Sequence, residues 1–163
     1  SVNFYVDDIE LPNGAQATRE YLDHPGAVGV LPLLPDGRIV LVRQYRHPVG
    51  EVTLELPAGK LDAGEDPLAC VRRELREETG YKASKITPLL DYWPMPAFAN
   101  EVLHLYVAED LVGGALQPDD DEFIEKVEMP LKEALDLARR GYIKDSKTLV
   151  GLLAYAVWRG SRP

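Results

Sequence analysis

Glu74, Glu77 and Glu78 stand at i, i+3 and i+4 within the stretch Leu56 to Tyr81, LPAGKLDAGEDPLACVRRELREETGY. On a helix that spacing gathers three carboxylates on one patch of surface. Like charges so placed repel by about 0.3 kcal/mol per pair on an exposed helix. The patch calls for a cation, and hard divalent ions such as Mg²⁺ or Mn²⁺ match carboxylate oxygens. Ions of that kind lower the pKa of a bound water and neutralise phosphoryl oxygens, which points to phosphate chemistry.

A helix has to hold these carboxylates, and its local signals can be read. Asp66 is a fair N-cap, Pro67 suits the first helical position and Gly80 is placed to end the helix. Leu68, Val71 and Leu75 follow at i, i+3 and i+7 and predict the buried stripe. The glutamate patch lies roughly 100° around from that stripe, so it should flank the core, half open and facing a cleft. Cys70, among apolar neighbours on the same helix, reads as a buried structural thiol. Ahead of the helix, Gly59 and Gly64 bracket a loop that can take tight backbone turns, and a backbone carbonyl of Pro57-Ala58-Gly59 could point at a hard cation.

Gly59, five residues, Glu65, seven residues, then Arg73-Glu74-Leu75-Arg76-Glu77-Glu78-Thr79-Gly80-Tyr81 resembles the Nudix box, GX₅EX₇REUXEEXGU, where U is a bulky apolar residue. Every fixed position matches, and only Tyr81 departs softly, as an aromatic where an aliphatic is commoner. The resemblance implies an α/β fold: a Nudix-like α/β/α sandwich with a mixed sheet, here with an N-terminal β-hairpin. It implies hydrolysis of a diphosphate linkage with Mg²⁺, Mn²⁺ being a possible substitute. Glu74 and Glu78 would be the main metal ligands, Glu77 would contribute, and the Ala58 carbonyl would be a fourth. Arg73 would orient a ligand glutamate, and Glu65 would be its structural partner. The general base in similar enzymes comes from a distal loop. The run Asp119-Asp120-Asp121-Glu122 lies where that loop falls, and Glu122 is the first choice, with Asp120 and Asp121 behind it. A solvated charge run is the alternative.

Weaker marks resemble the ADP-ribose pyrophosphatases of that family. Pro96 stands 15 residues beyond Tyr81, and Gln44-Tyr45-Arg46 and Leu54-Glu55-Leu56-Pro57-Ala58-Gly59 also look like that group. Arg46, Glu55 and Pro96 are therefore candidate substrate contacts. Arg46 is placed to reach a phosphate or stack on a base, with a plain surface arginine as the rival reading. Met95-Pro96-Ala97 departs from the usual Ser-Pro-Gly. Similar proteins are commonly homodimers in which the hairpin reaches the partner, and by that analogy Arg19 touches substrate across the dimer. The implied reaction converts ADP-ribose to AMP and ribose 5-phosphate. Another nucleoside diphosphate sugar as substrate, or a non-catalytic nucleotide sensor, remains open.

Composition narrows the class. The chain has 163 residues, 45% hydrophobic, with a formal net charge of −9. That length suits one domain spanning 1–163, with 1–24 as the hairpin and 25–163 as the catalytic core. The charge argues against a nucleic-acid backbone as partner. One cysteine forms no intrachain disulfide and fits a reducing cytoplasm. Residues 1–14 show neither a basic segment nor an apolar run, so no secretory leader is expected, and no apolar stretch approaches the roughly 20 residues of a membrane span.

Along the chain, 2–6 and 17–22 are predicted strands joined by a turn at Pro12-Asn13-Gly14. Further strands are predicted over 27–34, 38–45, 53–56, 86–92, 102–108 and 123–129. His24 and His47, each before a proline, are read as structural and as loop residues. Leu131 to Arg140 and a segment from Asp145 or Ser146 to about Arg159 are predicted helices, the latter with Leu149, Leu152, Leu153 and Ala156 as its core face.

Overall fold

The computed structural model describes residues 2–113 and 124–160. The order is β1 (Asn3–Glu10), β2 (Gln16–Asp23), β3 (Ala27–Pro32), β4 (Arg38–Arg46), β5 (Glu51–Glu55) and β6 (Ala58–Lys60). Then follow α1 (Pro67–Thr79), β7 (Lys82–Tyr92), β8 (Leu103–Val112), β9 (Glu125–Pro130), α2 (Leu131–Arg139) and α3 (Ser146–Gly160). Strands β6-β3-β8-β7 form a mixed sheet in which β3 and β8 run parallel. Strands β5-β4-β9 form an antiparallel sheet, and β1 and β2 pair by themselves.

Strand β3 explains the layering. Its residues are all buried, so it reads as a continuous apolar run, yet the side chains alternate between two cores. Val28 and Val30 pack with Cys70, Val71 and Leu75 of α1, while Ala27 and Leu31 pack with Leu105, Leu152 and Tyr155 on the α2–α3 side. The result is α1 on one face, the strands between, and α2 with α3 on the other, the α/β/α arrangement expected.

Helix α1 starts and stops as its sequence dictates. The Asp66 carboxylate accepts from the N–H groups of Leu68 and Ala69, Pro67 follows it, and Gly80 closes the helix at φ 74° with its N–H on the Arg76 carbonyl. The buried face differs from the expected stripe. Leu68 is 37% exposed, and Cys70 takes its place beside Val71 and Leu75. The helix is rotated toward the strands, and Glu74 and Glu78 are buried with them. The patch faces a cleft through Glu74 and Glu77 as expected, but Glu74 and Glu78 are more deeply buried than a half-open patch.

Other boundaries move for identifiable reasons. The hairpin strands extend to Glu10 and from Gln16, since eight cross-strand pairs zip closed to the turn. Residues 58–60, expected as loop, pair with Ala27–Gly29 as β6, a strand too short to show a period. Strand β7 begins at Lys82 because its register with β8 runs to Val112. Asp145 rather than Ser146 caps α3, its carboxylate accepting from the N–H and hydroxyl of Thr148. Leu153 is 55% exposed, and Tyr155 fills the core position instead.

Tyr81 has a partner that accounts for an aromatic at its position. Its hydroxyl donates to Glu128 over 2.6 Å, and the Lys126 ammonium lies 4.5 Å from the ring centroid. The hairpin rests on the loop between β7 and β8: the Leu22 N–H donates to the Phe98 carbonyl, and the Asn100 N–H to the Leu22 carbonyl. No helix among the described residues is long and apolar enough to cross a membrane.

Candidate active site

A cleft of about 720 Å³ opens beside α1 and β6. Ala58, Gly59, Arg73, Glu74 and Glu77 line one part of it, and Arg46, Asp145 and Lys147 another. Residues from the helix, from two strands and from the start of α3 thus meet around one space.

Arg73 organises the carboxylates. Its Nε and Nη2 donate to the two oxygens of Glu65 at 3.1 and 2.9 Å, and Nη1 donates to Glu74 at 2.6 Å and Glu77 at 3.1 Å. One guanidinium thereby spreads its fixed fork over three acids. The Arg73 bond, together with the Asp62 N–H, holds the Glu65 carboxyl well below the usual range, at about 2. Glu65 in turn raises the Arg73 pKa, against the opposing effect of burial. Cys70 lies beneath this network, and burial pushes its thiol up to about 12.

Backbone from β6 completes the group. The Ala58 N–H donates to Glu78 Oε2 over 2.9 Å, and Glu78 is 2% exposed. Gly59 leaves room that any side chain would take: a Cβ there would lie 1.8 Å from Glu74 Oε1. The Glu74 carboxylate therefore rests against bare peptide at 58–59. Among the described residues, no three His, Cys, Asp or Glu side chains converge on one point, since Arg73 and the Ala58 amide already engage the glutamates. The donor chemistry nevertheless fits a hard divalent cation: carboxylate oxygens beside half-buried peptide groups that border the cleft, with soft sulfur held protonated below.

A second charged group borders the same cleft. Arg46 ends β4, on the same sheet face as Glu55 of β5. Its Nε and Nη2 donate to Glu55 at 2.8 and 2.7 Å, Thr53 donates its hydroxyl at 2.6 Å, and Lys147 makes a short ion pair to Oε2. Burial acts to raise the Glu55 pKa, but the Arg46 and Lys147 contacts prevail and hold it at about 2. Glu55 thus sits behind Arg46, fully engaged by protein groups, rather than facing the cleft. The sequence places neither Lys147 nor Asp145 at the site; Asp145 stands out in it only as a possible start of α3. The only signal for Lys147 was its place on the first turn of α3, which does not reveal a carboxylate 92 residues away.

The remaining candidates fall elsewhere. Pro96 lines a separate cavity of about 430 Å³ with Tyr21, Trp93 and Phe98, and it is Pro94 that borders the cleft. Arg19 lies on the hairpin, its Nη1 on the Thr18 carbonyl, and is not among the cleft residues. Glu122, with Asp119, Asp120 and Asp121, lies outside the described residues.

Comparison with known proteins gives the same direction. A family model described as NUDIX domain matches residues 23–149. The ADP-ribose pyrophosphatase of Bacillus subtilis (strain 168) is 42% identical over 158 residues, covering 96% of this chain and 83% of that protein. The methanol dehydrogenase activator of Bacillus methanolicus is 44% identical over 153 residues, covering 93% and 83%. A solved structure described as an ADP compounds hydrolase superposes with a TM-score of 0.84 at 25% identity, over 98% of this chain and 92% of that one.

Proposed function

The chain belongs to the NUDIX domain family, and we propose that it is a pyrophosphatase hydrolysing the diphosphate bond of ADP-ribose to AMP and ribose 5-phosphate with Mg²⁺. The observation that carries this reading is the cleft itself, which the Arg73-organised glutamates share with Arg46 and Lys147. Acidic groups suit metal, and basic groups suit the phosphates that the metal would accompany. Similarity to an ADP-ribose pyrophosphatase over 96% of the chain supports the substrate class.

In this reading Glu74, Glu77, Glu78 and the Ala58 carbonyl would hold the cation, with Mn²⁺ as a possible substitute. The bound ion supplies charge neutralisation at the phosphoryl oxygens and a more acidic water. Arg73 keeps the ligand carboxylates oriented. Arg46 binds a phosphoryl oxygen. Glu122 takes the proton from the attacking water. Arg19 meets the outer part of the substrate from a partner subunit. A two-stranded hairpin with Phe4 and Val6 exposed is marginal by itself, which supports a homodimer closed over it. The single buried Cys70 supports a cytoplasmic location.

Met95-Pro96-Ala97 departs from the Ser-Pro-Gly of the pattern it resembles, which favours one rival: another nucleoside diphosphate sugar as substrate. A panel of ADP-ribose, GDP-mannose, NADH, diadenosine polyphosphates and 8-oxo-dGTP with Mg²⁺, read by chromatography, separates the two. Fast AMP release from ADP-ribose is expected. Preference for another diphosphate overturns the substrate, and no turnover of any leaves a nucleotide sensor.

A further inference from the structure

Lys147 is 8% exposed, yet it borders the cleft on the first turn of α3. An ammonium buried to this degree costs several kcal/mol unless it is paired. It is paired twice, to Glu55 Oε2 and to Asp145 Oδ1 at 3.0 Å. Asp145 is also engaged at its other oxygen by capping α3, so Lys147 is not needed to satisfy it. Glu55 is different. Its two oxygens are fixed by Lys147, Thr53 and Arg46 together, which leaves that carboxylate one orientation.

Arg46 stands on this base. Its side chain is 42% exposed, and Nε and Nη2 are both committed to Glu55. Its Nη1 makes no hydrogen bond to a described residue. A bidentate grip fixes the guanidinium plane as well as its position. The outer N–H edge is therefore held at one place, on a residue that lines the same cleft as Glu74 and Glu77 of α1.

We propose that Lys147 is a positioning residue for anion binding: by locking Glu55 it holds Arg46 so that the free guanidinium edge meets a phosphoryl oxygen of the substrate. This rests on the proposed diphosphate reading only for its anionic group, not for ADP-ribose itself. With Lys147 gone, Arg46 alone would neutralise a buried carboxylate. Its charge would be drawn inward and its orientation would no longer be shared with a second cation.

A double-mutant cycle tests it, because coupling separates an indirect role from a direct contact. ADP is the probe, its binding to the full chain measured by calorimetry with Mg²⁺ for wild type, Lys147→Met, Arg46→Ala and the double variant. Steady-state kinetics follow on whichever diphosphate the wild type turns over best. Lys147→Met should weaken ADP binding about tenfold and raise KM likewise, with kcat within about twofold, as expected for loss of one charge-assisted contact. Lys147→Arg should recover most of the loss. In the Arg46→Ala background, Lys147→Met should add nothing. Equal effects in both backgrounds would mean that Lys147 meets the ligand directly, and would overturn the proposal. So would unchanged ADP binding with only a lowered Tm, or a wild type that does not bind ADP. If Lys147→Met does not fold, Lys147→Gln serves in the same cycle. Turnover of ADP-ribose with no Lys147 effect sinks this inference alone. A Lys147 effect on ADP with no ADP-ribose turnover sinks the substrate reading alone.

Discussion

The backbone N–H of Ala58 donates to Glu78 Oε2 over 2.9 Å, so a three-residue strand and the acidic helix are joined through one buried carboxylate. Glutamine at 78 can still accept that bond through its carbonyl oxygen, while losing the charge a cation requires. Glu78→Gln should therefore keep the fold, read by circular dichroism and Tm. Its kcat should fall by about 10²- to 10³-fold, the equivalent of several kcal/mol of lost electrostatic stabilisation. Near-normal turnover would remove Glu78 from the ligand set.

Gly59→Ala tests the close approach from the other side. The new Cβ would meet the Glu74 carboxylate at 1.8 Å, an impossible contact. The clashing atoms end a flexible side chain, so Glu74 moves rather than the backbone. Stability should fall by only about 1 kcal/mol, in the range of ordinary overpacking. Activity and Mg²⁺ affinity should fall far more. A large loss of Tm with kcat preserved would show that the backbone yields instead.

Arg73→Lys keeps a positive charge but not the fork that reaches Glu65, Glu74 and Glu77 together. Loss of such an orienting partner typically weakens metal binding by about 10- to 100-fold. Mg²⁺ titration of activity should show the midpoint shifting upward by that factor, with kcat at saturating Mg²⁺ reduced less. An unshifted midpoint would leave Arg73 a structural role only.

Acid should weaken the protein through Glu55. Its carboxyl titrates at about 2 in the folded chain against 4.5 ordinarily. A depressed carboxylate stabilises the fold above its unfolded pKa, and that contribution drains away as pH falls from about 4.5 toward about 2. The shift corresponds to an order of 3 kcal/mol at neutral pH. Glu55→Gln should be less stable than wild type at neutral pH, since Lys147 and Arg46 lose their partner. The gap in Tm between the two should close as pH is lowered through that window. A gap independent of pH would mean that the carboxylate charge contributes nothing there.

Helix α1 was legible residue by residue. Its cap, its terminating glycine and the i, i+3, i+4 carboxylates are short-range features, set by helical geometry and by side chains within one turn of the backbone they satisfy. The layer order was legible for the same reason, since long apolar runs and helical periods announce which faces must be buried. The rotation of α1 was not. Cys70 is buried as expected, but Glu74 and Glu78 also lie in the buried face where the period favoured Leu68, because Arg73, the Ala58 amide and bare Gly59 receive them, the last two arriving from β6.

The sequence alone thus determined the chemistry available: an acidic helix suited to a hard cation, and a chain that folds to present it. Tertiary structure decided which residues share the cleft. It brought Lys147 onto Glu55 across 92 residues, set Arg46 in front of that pair, and left Pro96 lining a different cavity. An ion pair between distant residues leaves no period and no local signature. It exists only once the strands and α3 have been packed closely enough for burial to make each charge require the other.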